Sequence, residues 1–481
     1  MSEMLNEPRI VIVGAGPAGV RAAEVLVAAG LRPVVVDENQ RAGGQIYRQP
    51  PAGFVRSKKQ LYGSESAKAD ALHHTFDRLR SAIDYLPETL VWNCDGQQLD
   101  LLRRGQQQSL PYSHLILCTG AIDRVLPFPG WLLPGVYTLG AAQVALKAQG
   151  CVIGSRMVLV GTGPLLYLLA YQYAKAGARI AAVLDTSSFS GKLRATPDLL
   201  KQPLTFAKGL YFLAWLRCHG VRIVEGVQKI AVSGEQKVEA ITWHKNGRAE
   251  TLECDAVASG FGLRSETQLA DLAACAFEFN QLNQQWLPQR DGAGRSSVKG
   301  VYLAGDGSGI AGADAAELAG KRAALALLED LGQSVDLRET RRLDRALHSI
   351  QGFRRGLERA FPAPVEWARE CADEEIICRC EEITAGELRH SVKQAGTVEI
   401  NRLKALTRVG MGRCQGRVCS AAAAEILACS TGKSLAQVGR LRGQPPVKPF
   451  PVAVGVAADV ATNMAANVAA NVAANCAREI A

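Results

Sequence analysis

Twice along this chain of 481 residues the same local order appears: an apolar run, a glycine-rich turn, a helix-forming stretch and a second apolar run. The first copy is RIVIVGAGPAGVRAAEVLVAAGLRPVVVDE (9–38) and the second is RMVLVGTGPLLYLLAYQYAKAGARIAAVLD (156–185). Apolar β-branched runs read as buried strands, and Ala, Leu and Val at helical spacing read as the crossover helix between them. Two such units predict a parallel α/β architecture with two nucleotide-type (Rossmann-like) domains. SHLILCTGA (113–121), DAVASGFG (255–262) and GVYLAGDGSG (300–309) read as further buried strands, and ADAAELAGKRAALALLEDLG (313–332) as a helix closed by glycine. The first unit is expected to be split over 1–150 and 255–335, with the second inserted at 151–254.

GAGPAG (14–19) follows a strand and opens a helix, the context a dinucleotide motif needs. Gly14 permits the tight turn, Gly16 lets backbone approach a pyrophosphate, and Gly19 lets helix and strand pack closely. The helix N-terminus then presents unpaired N–H groups to the anion. Glu38 lies 24 residues past Gly14, at the strand end, where a carboxylate can accept from ribose hydroxyls; Asp37 competes for that role. GGQ (43–45) follows the acid, and AGD (304–306) ends a late strand before a helix, so Asp306 is placed to bind a ribityl chain or phosphate. These features favour FAD. The layout of residues 9–330 resembles the pyridine nucleotide–disulfide reductase superfamily. The resemblance implies that Gly14, Gly16, Gly19, Glu38, Gly44, Gln45 and Asp306 line FAD.

GTGPLL (161–166) departs from the motif at Leu166, which is expected to push the helix off the strand or reshape the turn. Asp185 keeps the 24-residue interval from Gly161, which leaves room for an adenine nucleotide, while a productive NAD(P)H site is doubtful. No C-x-x-C occurs, so thiol–disulfide chemistry is not expected.

A charged, helix-prone bridge (336–370) leads to a cysteine-bearing segment at 371–432. ICRCEE (377–382) supplies Cys378 and Cys380, and GRCQGRVC (412–419) supplies Cys414 and Cys419. Four thiolates from two short loops can enclose a metal centre, either zinc or a [2Fe–2S] cluster. The flavin context favours the cluster, because a flavin supplies electrons singly. Lys404, Arg408, Arg413 and Arg417 around these loops suit an anionic centre, and Gly410, Gly412 and Gly416 let backbone N–H groups approach sulfur. Other cysteines, Cys94, Cys118, Cys151, Cys218, Cys254 and Cys275, read as small buried hydrophobes. His73 and His74 read as a solvated face, and Arg124 and Trp131 as contacts to FAD or to a partner. Residues 433–481 read as a proline-rich arm, QPPVKPFPV (444–452), and a low-complexity tail with Asn463, Asn467, Asn471 and Asn475 recurring every fourth residue.

The C-x-C…C-x-x-x-x-C segment with TRVGMGRCQGRVC resembles the ferredoxin-like domain of bacterioferritin-associated ferredoxin. A flavoprotein body joined to this domain, with DENQRAGGQIYRQPP (37–51) and LPFPGWLLPGVYTLGAAQVALK (126–147), resembles the flavin-containing subunits of opine oxidases, D-hydroxyproline dehydrogenase and hydrogen cyanide synthase. The resemblance implies an electron-transfer subunit carrying FAD and a [2Fe–2S] cluster. It implies a separate FAD-containing subunit that oxidises the C–N bond of an amino acid, a small iron–sulfur subunit, and a respiratory acceptor such as a quinone. No catalytic residue is assigned on this chain, because C–N oxidation falls to another polypeptide. Among the three types the resemblance leans to the cyanide-forming glycine dehydrogenase; the alternative from the residues is an NAD(P)H-dependent ferredoxin-type reductase. A net charge of +9 spread along the chain does not suggest a nucleic-acid partner. The amino end has no apolar signal region and no segment reads as a membrane span, so the chain is expected in the cytoplasm, peripheral to the inner membrane through its complex.

Overall fold

The computed structural model describes residues 8–451, except 52, 55, 56 and 365. The residues before 8 and the asparagine-repeat tail lie outside the described residues. The first sheet has five parallel strands in spatial order Val301–Leu303, His114–Leu117, Ile10–Val13, Val34–Val36 and Asp84–Leu86. Ile10–Val13 is buried throughout, as a central strand covered on both faces must be. Ile10 and Ile12 face a core shared with the helices Pro17–Ala28 and Ala313–Asp330. Val11 and Val13 face a second core, closed by the antiparallel strands of residues 89–111. The two helices meet backbone to backbone: a Cβ on Gly320 would stand 2.0 Å from the carbonyl oxygen of Ala18.

The second sheet is also parallel and five-stranded, in order Ile223–Glu225, Ile180–Asp185, Met157–Thr162, Ala256–Phe261 and Val136–Thr138. Its composition moves the expected boundaries. The strand Ala256–Phe261, expected in the flavin unit, pairs with Met157–Thr162, and the short strand Val136–Thr138 pairs with it in turn. The chain crosses between units on an antiparallel pair, Ala121–Asp123 with Leu263–Ser265. The inserted unit therefore spans about residues 124–262 rather than 151–254. The glycine turn at 161 marks the middle of the unit, and a three-residue edge strand behind a proline-rich stretch carries little periodic signal of its own.

The bridge carries a long helix, Leu337–Ala360, capped where the Asp336 carboxylate accepts from Arg338 N at 2.8 Å, and a short one, Trp367–Glu370. Phe353 and Ala360 pack with Ala195 and Leu199 of the inserted unit. The cysteine-bearing domain that follows has its own core of Ile377, Leu388, Ile400, Leu403, Ile426, Leu427 and Val438. Val438 ends the short helix Leu435–Val438, so the domain runs past the expected limit of 432.

This small domain is bolted to both dinucleotide-type units rather than tethered beside them, to the inserted unit through two tryptophans and to the flavin unit through Asp271. Trp131 Nε1 donates to Ile376 O at 3.0 Å, and Trp367 Nε1 to Pro127 O at 2.6 Å. Arg440 binds Asp271 through both nitrogens, at 2.7 and 2.8 Å, and its guanidinium lies 3.8 Å from the Phe277 ring centroid. Gly443 N donates to the same carboxylate at 2.5 Å. Burial of Asp271 disfavours its charge, but these donors outweigh burial and hold the carboxyl below its ordinary 3.8. A lowered folded value means the stabilisation is complete above pH 3.8 and disappears as pH falls through that folded value. Asp271→Asn is therefore expected to cost about 3 kcal/mol at neutral pH, by leaving Arg440 unpaired. The gap from the parent protein should close as the solution is acidified below the ordinary carboxylate range. Thermal unfolding of both proteins across that pH range checks this.

Candidate functional site

The first glycine turn has the backbone geometry of a dinucleotide cradle. Gly14 has φ +105°, and a Cβ there would stand 2.4 Å from the carbonyl oxygen of Cys118. A Cβ on Gly19 would stand 1.8 Å from Gly14 O, so helix and strand are as close as backbone allows. The chain then returns over the turn: Gly43 N donates to Ala15 O at 2.9 Å. Gly44, at φ +61°, faces Gly16 so closely that its Cβ would lie 3.0 Å from Gly16 Cα. Gln45 follows, exposed. Asp306 joins from the other side, because the neighbouring Gly305 packs on Ala18. Its Oδ1 accepts from Ala311 N and Gly312 N at 2.8 and 2.9 Å and so fixes the turn into the helix Ala313–Asp330. These residues fit FAD: two glycines face one another with no side chain between them, beside a helix start.

The two candidate acids divide. Asp37 is buried, and its carboxylate accepts from Ala15 N at 2.6 Å and from Asn39 N at 2.7 Å. Burial pushes this carboxyl up against those hydrogen bonds. Asp37 thus braces the turn, while Glu38 is exposed on the rim and paired with Lys448. His73 is not solvated as expected. It is buried, with Nε2 2.9 Å from Tyr47 O behind the GGQ turn, whereas His74 is exposed. Lys147 escaped the sequence reading. It is 2% exposed, donates to Ile46 O at 2.8 Å, and is pushed down to about 8 by burial. Nothing in its local sequence marks it, since the contact spans 101 positions.

The second glycine turn is built differently. Leu166 is fully buried in the core of the inserted unit. Asp185 is fully buried as well, and its acceptors are taken. Tyr167 Oη donates to Oδ2, Lys192 Nζ lies 2.6 Å from the same oxygen, and Ser187 N and Oγ reach Oδ1 at 2.8 and 2.7 Å. Lys192 is also held by Glu225 at 2.5 Å. The spacing of a ribose acid thus places this carboxylate inside an internal ion-pair network.

The four expected cysteines come together. The Cys419 thiol touches Cys378 and Cys414, and Cys380 touches Cys414. Cys378 and Cys414 are held low, at about 6 and about 5, chiefly because Cys419 donates to both. Backbone N–H groups of Gly410 and Glu381 add to this at Cys378, and those of Val418 and Gly416 at Cys414. Gly412 must be glycine for the loops to close, since its Cβ would stand 2.3 Å from that of Cys380. Among the described residues no group of three or more ligand side chains closes around a single ion. The contacts instead run as an open chain, 378–419–414–380. Burial pushes Cys380 up, and donation to Cys378 and Cys414 pushes Cys419 up. Four sulfurs in mutual contact, with backbone N–H groups aimed at two of them, fit a dinuclear iron–sulfur centre. Of the remaining cysteines, Cys94, Cys118, Cys254 and Cys275 are buried as expected, but Cys151 and Cys218 are exposed.

The basic residues expected around the loops are mostly neutralised or turned away. Arg408 pairs with Glu381, Arg417 with Glu266 at 2.6 Å, Lys404 is buried against Gln444, and Arg413 is exposed. A further cation beside the cysteines, with no carboxylate within 4.0 Å among the described residues, comes from the flavin unit. Arg264 donates to Ser420 Oγ at 2.8 Å, next to Cys419, and burial pushes it down to about 10. It lines an interdomain cleft, partly open to solvent, with Arg124, Trp286 and Glu425. Burial pushes the Glu425 carboxyl up, with Arg124 and Arg264 opposing. Arg124 and Trp131, read from sequence as contacts to FAD or a partner, lie on this seam between the units.

Residues 8–320 match the family model for pyridine nucleotide-disulphide oxidoreductases, and residues 376–429 match the BFD-like [2Fe-2S] binding domain. An opine oxidase subunit from Rhizobium meliloti is 38% identical over 92% of this chain and 86% of its own length. The corresponding opine oxidase subunit from Agrobacterium tumefaciens is 38% identical over 92% and 90%. Hydrogen cyanide synthase subunit HcnB of Pseudomonas aeruginosa is 33% identical over 92% and 97%. Among solved structures, L-proline dehydrogenase from P. horikoshii superposes with a TM-score of 0.68 at 19% identity, covering 93% of this chain and 79% of that one, a likeness of fold.

Cys414→Ser is expected to abolish the S = 1/2 EPR signal of the reduced cluster and most of its about two irons per chain. Flavin content should stay near that of the parent, because the glycine cradle lies in another unit. Iron, sulfide and flavin assays on anaerobically purified protein check both halves.

Proposed function

This chain belongs to the pyridine nucleotide-disulphide oxidoreductase family and shares the flavoprotein-plus-[2Fe–2S] plan of its opine oxidase and hydrogen cyanide synthase relatives, and on that premise we propose that it relays electrons within a heteromeric dehydrogenase acting on C–N bonds. FAD and a [2Fe–2S] cluster are its cofactors, and it is one component of an amino-acid-dehydrogenase type of oxidoreductase. When bound, FAD exchanges electrons in pairs or singly and the cluster singly. The protein's own part is to hold the two centres in fixed relation and to keep charge and solvent controlled between them.

The observation that carries the reading is the seam. Arg417, inside the Cys414–Cys419 loop, pairs with Glu266 of the flavin unit, and Arg264 of that unit reaches Ser420. The cysteine loops are thereby fixed to the flavin body, while the carboxylate that would receive a nicotinamide dinucleotide's ribose is spent on Lys192 and Tyr167. Electrons would enter from a separate FAD-containing amino-acid-oxidising subunit, with help from a small iron–sulfur subunit, and leave to a respiratory acceptor such as a quinone. Among the described residues no helix is long and apolar enough to cross a membrane, so a membrane acceptor would be met peripherally. The helix Pro203–Cys218 is apolar around its circumference, yet Leu204, Leu210 and Tyr211 are exposed, which is the surface one subunit offers to a neighbour. The opine type leads the cyanide-forming type as substrate class, because the opine oxidase relatives above are more similar, 38% against 33%.

The test is to purify the native complex through a tag on this chain and add opines, D-hydroxyproline and glycine anaerobically, reading cluster reduction by EPR and, with glycine, cyanide. One of these donors should reduce the cluster in the complex, and NADH should leave the flavin of this chain oxidised in stopped flow. Fast bleaching of that flavin by NADH, with no response to any C–N donor, would establish the reductase reading instead.

A further inference from the structure

The carboxyl-terminal arm does not trail away from the cysteine domain. It returns across the flavin unit to the rim of the FAD cradle. Val447 is 2% exposed, inserted into the core that holds Val36 and Val91. Its N–H donates to Trp92 O at 2.9 Å, and its carbonyl accepts from the Arg417 guanidinium. The Phe450 ring lies 5.2 Å from that of Trp92. The strand carrying Trp92 meets the acid loop at its start, where Thr89 N donates to Asp37 O at 3.0 Å. Lys448 lies between the two anchored residues, where the chain bends, and its ammonium meets the Glu38 carboxylate.

An exposed lysine–carboxylate pair contributes little to stability, about 0–1 kcal/mol, so stabilising the fold is a weak reason for this contact. Its place is informative. Asp37 is committed to bracing the glycine turn, which leaves Glu38 as the carboxylate able to accept from a ribose. Glu38 stands on an exposed rim, and an ammonium flanked by the buried Val447 and by the Phe450 ring against Trp92 restricts it. We propose that Lys448 is a positioning residue of the FAD site, holding the Glu38 carboxylate to accept from the adenosine ribose hydroxyls, so that the carboxyl-terminal arm is part of the FAD-binding site. Arg417 lies between Cys414 and Cys419 and grips Val447, so the same arm touches both cofactor sites. The proposal needs FAD only; it does not depend on which donor or partner supplies electrons.

The experiment measures FAD affinity and release on the full chain, following the fluorescence of freed FAD, for the parent, Lys448→Met, Lys448→Arg, Glu38→Gln and the Lys448→Met/Glu38→Gln double variant. Lys448→Met and Glu38→Gln should each weaken FAD roughly tenfold, the size of one charge-assisted contact. The double variant should be no worse than Glu38→Gln alone, since Lys448 acts through Glu38. Lys448→Arg should restore most of the affinity, and the EPR signal of the cluster and the unfolding midpoint of the FAD-free protein should not move. An unchanged FAD affinity in Lys448→Met overturns the proposal. So does a fully additive double variant, or a loss of affinity matched by an equal loss of stability in the FAD-free protein, which would make the arm a structural strap only.

Discussion

The guanidinium of Arg417 sets how the two cofactor-bearing units meet. It lies inside the loop that carries Cys414 and Cys419, with its side chain 16% exposed, against a Glu266 side chain 11% exposed. It also donates to the carbonyl of Val447. One planar group with donors in a fixed fork thus ties the cysteine loop, the flavin unit and the returning arm together. A lysine would carry the charge but not the fork. Removing either partner would leave a largely desolvated charge uncompensated, a penalty of about 3–5 kcal/mol for buried pairs. A relay between two prosthetic groups needs this stiffness, because transfer depends on a separation that does not wander.

Around that joint the electrostatics are arranged by subtraction. Four basic residues near the cysteines suggest a broadly cationic pocket, but carboxylates, burial or solvent remove most of their effect. Arg264 adds a cation from the strand Leu263–Ser265 that links the two dinucleotide-type units. Placing this cation on the flavin side means that its influence on the cysteine loop exists only while the small domain is docked. Glu425 and Arg124 share the same cleft, so the field there is set by both units.

The inserted unit shows how a dinucleotide fold can be kept while its site is reassigned. The glycine turn survives for a steric reason, since a Cβ on Gly161 would stand 1.8 Å from Gly260 O. The carboxylate at the end of the second strand survives too, but Lys192 and Tyr167 convert it from a ligand-binding group into a buried structural anchor. A fold motif and a binding motif therefore separate here. Gly161 is required by the packing of neighbouring strands, whereas ribose recognition requires a carboxylate with an open acceptor.

Much of this protein was legible from local pattern. The two strand–turn–helix units, the GAGPAG cradle and the pairing of Cys378 and Cys380 with Cys414 and Cys419 all rest on short-range spacing, because glycine turns and chelating loops are built from neighbours in the chain. Spacing failed where a side chain's partner is remote. Asp185 keeps the interval of a ribose acid, yet the fold sets Tyr167 and Lys192 on its carboxylate; His73 sits in a polar stretch, yet the fold buries it against Tyr47. The extent of the inserted unit, the attachment of Lys147 to Ile46, the reach of Arg264 to Ser420 and the return of Lys448 to Glu38 were decided by tertiary structure alone. Each joins residues about a hundred or more positions apart. A residue's own neighbourhood determines its backbone conformation, but whether its charge is paired, buried or free depends on segments that only the completed packing brings to it.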